Sequence, residues 1–162
     1  MLCVVLIRAA ITDACSLEIA NWISIVIALI FLPAALLSGL TLTSIAYHYA
    51  LASAFFVGGI FLYAKGLTGG GDVKFLAAVC VWWEPGQLAM YIIIVAILGG
   101  VLAGAVILAN HIDRLRPLLP WLEDGDAMKQ PIPFGIAIAG GALIMFDAIP
   151  VLPSQLADWL AG

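Results

Sequence analysis

Six apolar stretches follow one another along this chain, at about 2–12, 22–38, 44–64, 72–83, 88–109 and 132–149, with short polar or glycine-containing breaks between them. A helix needs about 20 apolar residues to cross a bilayer, or about 17 if it stands straight. Four of the stretches reach that length, and the first and fourth fall short of it. With 65% hydrophobic and only 10% charged residues, a chain of 162 residues cannot hide its apolar surface in one small water-soluble core. The expected fold is therefore all-α, a polytopic membrane bundle of about six transmembrane helices. Only the stretch from Asn110 to Gln130 makes a sizeable polar loop, and nothing marks a domain boundary, so residues 1–162 read as one integral-membrane domain. The stretch Pro153–Gly162 suits a short amphipathic turn on the membrane surface.

Charge and cysteine usage remove several classes of function. A net charge of -4 offers no basic field for nucleic acid. Cys3, Cys15 and Cys80 make no CxxC pair and no Cys/His cluster with zinc spacing, so neither a metal site nor a disulfide framework is expected, and no cofactor is implied. The apolar run at Met1–Ile11 does not read as a signal peptide, because Arg8 lies inside it and no cleavage site follows a long apolar core. It is expected to be a retained helix over about residues 2–12, which Asp13 closes or which continues past Asp13.

Orientation follows from the basic residues. If the first helix runs inward, the connections near 13–21, 65–72 and 110–130 fall on the cytoplasmic side. Lys65, Lys74, Arg114, Arg116 and Lys129 lie in or beside those connections, with Arg8 in snorkelling reach of the first. The opposite side has Trp82-Trp83-Glu84-Pro85, a pattern expected of an interfacial aromatic belt and a turn.

This topology puts two carboxylates at one membrane depth. Asp13 ends the first helix, and Asp72, after Gly69-Gly70-Gly71, opens the fourth on the same side. An acid buried at the bilayer centre costs about 2.5–3.5 kcal/mol on insertion scales, so an acid at a membrane segment usually marks a site. Two carboxylates held close share one proton, and then one activates water while the other polarises a carbonyl, as in aspartic proteases. The three glycines are expected to turn the chain tightly and admit a substrate backbone. Asp72 is expected at the N-cap, where the helix dipole favours its anion, whereas the end of the first helix disfavours that of Asp13. Asp72 should then be the more acidic of the two.

Three segments resemble the type IV prepilin leader peptidases, GxGD membrane aspartic proteases, and especially their short bacterial forms that process pilins of tight-adherence pili. Asp13-Ala14-Cys15-Ser16-Leu17-Glu18-Ile19-Ala20-Asn21 is similar to the first-aspartate region, and Gly69-Gly70-Gly71-Asp72-Val73-Lys74 to the second-aspartate motif. Pro131-Ile132-Pro133-Phe134-Gly135-Ile136-Ala137-Ile138-Ala139-Gly140 resembles the last helix. There are departures: Ala20 replaces the family's usual Pro, Cys15 to Glu18 replace a basic stretch, and the cysteine-bearing insert of the larger, methylating members is missing. The resemblance implies that Asp13 and Asp72 are catalytic, supported by Gly69, Gly70, Gly71, Asn21 and Lys74. It implies cleavage of a membrane-anchored prepilin at the cytoplasmic face of the bacterial inner membrane, and the missing insert speaks against N-methylation while leaving it open. It says nothing of oligomeric state.

The remaining polar residues have plainer readings. Lys74 serves as a positive-inside anchor, or else contacts lipid phosphate or an acidic substrate residue. Asp147 is expected in an interfacial or packing role, His48 and His111 in solvated or interfacial ones, and Gly100 with Gly104 as a GxxxG helix-packing pair. Two rival functions remain: a small transporter or ion-binding protein with the acids on its path, and a non-enzymatic assembly partner of a pilus or secretion machine. A transporter should spread ionisable groups along its helices, and these helices have almost none.

Overall fold

A computed structural model describes residues 1–111 and 132–149, except for the side chains of Asn110 and His111. The expectations for His111, Arg114, Arg116, Lys129, Pro131 and the 153–162 turn lie outside what is described. Six α-helices and no strand occur among the described residues: α1 (Leu2–Ser16), α2 (Asn21–Leu37), α3 (Leu42–Ala64), α4 (Gly70–Cys80), α5 (Pro85–His111) and α6 (Phe134–Ile144), the last followed by a 3-10 turn at Phe146–Ala148. Local chemistry sets several of these ends. Thr41 caps α3 by accepting the Ser44 N–H at 3.2 Å. Pro85 stands at the first position of α5, where its missing N–H is no loss.

Two helices, Leu42–Ala64 and the Pro85–Ala109 part of α5, are long and apolar enough to cross a membrane. Burial within the bundle is low for both, and large apolar side chains such as Leu29, Phe61, Ile97 and Val101 stand exposed on the outside. An apolar exterior of this kind suits lipid, not water. α4 is the opposite case. Its 11 residues rise only about 16 Å, yet it packs against α2, α3 and α6, and Phe75, Val79 and Cys80 are wholly buried. The fourth apolar stretch is thus the bundle's central rod.

Buried polar side chains tie the helices around that rod. Trp82 Nε1 donates to Ile27 O at 3.2 Å, Tyr49 Oη to Ala28 O at 2.7 Å and Tyr91 Oη to Ile138 O at 3.1 Å, while His48 Nδ1 lies 2.9 Å from Val81 O. Here the structure corrects the sequence reading. Trp82 and Trp83 form no interfacial belt: both are buried, Trp82 edge-on to Phe31 and Trp83 stacked on Tyr91. The chain turns back after Cys80 and folds the indoles under the bundle, where Trp82 finds a carbonyl. His48 is likewise buried, beside Phe31, instead of solvated. Asp147 is exposed on the final 3-10 turn. A Cβ at Gly100 or Gly104 would meet nothing within 4 Å among the described residues, so neither packs on a described helix. The close α5–α6 approach uses Gly99, against Phe134, and Gly141, against Val95 and Tyr91. Gly99 is one residue, about 100° of helix, from the expected position.

Tyr49→Phe keeps the ring and removes the donor to Ala28. The expected loss is about 0.6 kcal/mol, typical of hydrogen bonds between membrane helices, read as a slightly lower unfolding midpoint in detergent. Unchanged stability would mean that this bond contributes nothing to the bundle.

Candidate active site

The C-terminal end of α1, the N-terminal ends of α2, α4 and α6, and the C-terminal end of α3 meet at one end of the bundle. Asp13 is placed there by α1, which takes the longer of its two expected extents and continues past this residue to Ser16. The helix ends when Leu17 takes a left-handed conformation (φ 55°) and returns its N–H to Asp13 O. This turn carries Ile19 back against Gly71 and Gly135. Because Asp13 lies inside α1, its carboxylate is not set by that helix's end. It reaches the first turn of α6 instead. Gly135 N–H donates to Asp13 Oδ2 at 2.6 Å, and the side chain is only 3% exposed.

Asp72 is built differently. Gly69 is the N-cap of α4, so Asp72 falls on the third helical position, not the cap. From there its carboxylate reaches back to the Gly69 N–H, as the acidic member of a capping box does. The glycine triplet also departs from expectation. None of its residues has positive φ; the tight turn comes earlier, at Gly66 (φ 72°). What Gly69 provides is space, since a Cβ there would stand 2.8 Å from Asp72 Oδ2. Gly70 and Gly71 have ordinary room, beside Tyr63 and Ile19.

Asp13 and Asp72 line one cavity of about 830 Å³, and the charge of Asp13 acts on Asp72. On its other side Asp72 joins Gly69, Gly70 and Gly71 in the wall of a second, more polar cleft of about 550 Å³, completed by Thr12 and Ser16 to Asn21. Lys74 does not face the acids. Its Nζ donates to Asn21 Oδ1 at 2.8 Å, and both residues line a third groove, of about 500 Å³, between α2, α3 and α4. Of the seven residues the sequence singles out, the two acids and Gly69 thus share one cavity. Gly70, Gly71 and Asn21 border the adjoining cleft, and Lys74 stands apart with Asn21.

Sequence reasoning missed Gly135 as a site residue. A Cβ there would lie 2.8 Å from Asp13 Oδ2 and 2.7 Å from Ile19 Cδ1, so only glycine leaves the carboxylate its bond. The Pro133-Phe134-Gly135 start of α6 was the available signal, a helix N-terminus whose free N–H groups suit an anion. The short Gly135 bond favours the charge on Asp13, whereas the sequence pointed to Asp72 as the more acidic partner. The arrangement, one well-anchored carboxylate beside a second in a partly apolar cavity, can hold a single shared proton.

A model of the type IV leader peptidase family matches residues 1–104, which include both acids but stop short of α6. No curated protein and no solved structure matches the chain.

Proposed function

We propose that this chain, which belongs to the type IV leader peptidase family, cleaves its membrane-anchored prepilin by an aspartic mechanism carried out by Asp13 and Asp72. One observation carries the reading: the two carboxylates line the same cavity, each held by a backbone N–H group. Asp13, with the short bond from the Gly135 N–H, holds the negative charge at rest, and Asp72 holds the proton. Asp13 takes a proton from a water as its oxygen attacks the scissile carbonyl carbon, while Asp72 protonates the carbonyl oxygen. The tetrahedral diol then collapses. Asp13 gives its proton to the leaving nitrogen, the C–N bond breaks, and Asp72 recovers its proton as the new carboxyl group forms.

The acids face the cytoplasm in this reading. Lys65 and Lys74 stand at their end of the bundle, and Arg8 points there, its guanidinium 5.1 Å from the Trp22 ring at the start of α2. The bacterial inner membrane, a multi-pass arrangement and a single peptidase domain over 1–162 complete the proposal. The resemblance of the Gly69–Lys74 motif extends the proposal to tight-adherence prepilins as the substrate class.

The test is co-expression with a candidate prepilin, followed by a mobility shift and N-terminal sequencing of the product. Cleavage ahead of the apolar segment is expected, with a bell-shaped pH dependence, because activity needs one acid protonated and the other ionised. A rate that climbs steadily with pH would rule out the shared-proton mechanism.

A further inference from the structure

The two spaces that meet at Asp72 differ in chemistry. The 830 Å³ cavity is walled mainly by Phe55, Leu62, Leu76 and Phe134, whereas the 550 Å³ cleft carries Thr12, Ser16, Glu18 and Asn21. Gly69 and Asp72 belong to both linings. We infer that the substrate lies across this junction, its apolar helix entering the cavity sideways from the membrane between α3 and α6, and its polar leader in the cleft beyond Asp72. The inference rests on the peptidase reading of Asp13 and Asp72.

Four observations favour this occupant. The acids lie in the cavity wall, so the cut bond must come there. A substrate that changes from polar to apolar at that bond matches the junction in one direction only. The volume suits it as well: a cylinder about 10 Å wide rising about 1.5 Å per residue fills about 120 Å³ per residue, so the cavity takes about seven residues, or two turns. Finally, α3 packs chiefly on α4 and leaves its α6 side open among the described helices, with Leu62 50% exposed at the rim. Gly59 sets that wall's position, because a Cβ there would stand 2.5 Å from Val73 Cγ1 and push α3 off α4. The groove between α2, α3 and α4 is the competing surface. It is apolar too, but it ends at Lys74 and Asn21 and contains neither acid.

A photoreactive benzophenone side chain placed at Phe55 or Leu62 in the Asp72→Asn chain, co-expressed with the prepilin, should crosslink to the prepilin's apolar helix. The same group at Ile25 or Ser53, in the competing groove, should not. Crosslinks from Ile25 and Ser53 alone, or only to lipid from Phe55 and Leu62, overturn the docking site. Where a bulky group at Phe55 prevents folding, cysteine at the exposed Leu62, paired with cysteine in the first turns of the prepilin helix and with Cys3, Cys15 and Cys80 changed to Ser, gives the same reading by disulfide capture. Cleavage of that prepilin by the otherwise unaltered chain is measured separately. Cleavage with no contact from Phe55 or Leu62 sinks the docking site and spares the peptidase, whereas contact without cleavage sinks the peptidase reading instead.

Discussion

Asp13→Asn and Asp72→Asn should each slow prepilin cleavage by about 10³–10⁴-fold, and the double variant should be no slower than the worse single. Both expectations come from one geometry. Each acid needs the other's protonation state, so removing either disables the pair as a unit. The folded structure should survive, because an asparagine oxygen can still accept the N–H bond of Gly135 at position 13 or of Gly69 at position 72. Rates on purified protein in vesicles, with the unfolding midpoint measured alongside, separate lost chemistry from lost fold. Either single variant retaining more than a tenth of the parent rate would remove that residue from the mechanism.

Gly135→Ala should lower kcat by about 100-fold with little change in KM, although it adds one methyl group and alters no acid. The new Cβ would lie 2.8 Å from Asp13 Oδ2 and 3.0 Å from Asp13 Cγ, so the carboxylate must swing away from the α6 N-terminus. A displacement near 1 Å at a reacting group is enough for an effect of that size. The atoms that yield are side-chain ends, those of Asp13 and Ile19, so stability should change little. Gly100→Ala is the matching control: it lies in a helix, its new Cβ meets nothing within 4 Å among the described residues, and it should leave activity unchanged. Activity of Gly135→Ala within threefold of the parent would mean that the Gly135 bond does not position Asp13.

The parts legible in the sequence were those governed by local properties. Hydropathy counts residues along the chain, and it located all six helices, including the short fourth one. The Gly69–Asp72 motif and the basic residues at Lys65 and Lys74 together suggested that Asp13 and Asp72 share one end of the bundle. Reading failed where an answer depended on which face a helix turns inward. Trp82 and Trp83 look interfacial as a sequence pair, yet the turn after Cys80 buries them both. Gly100 and Gly104 have the right spacing for packing, but α6 meets the neighbouring face, at Gly99.

The sequence by itself determined a helical membrane protein with two acids near helix ends, because apolar run length and charge placement depend on solvent transfer, residue by residue. Only the tertiary structure decided how those acids are held. The bond from Gly135 to Asp13 joins residues 122 positions apart, and no local pattern specifies it. It exists because α1 runs on past Asp13, α6 begins beside it, and glycine leaves the space between them open.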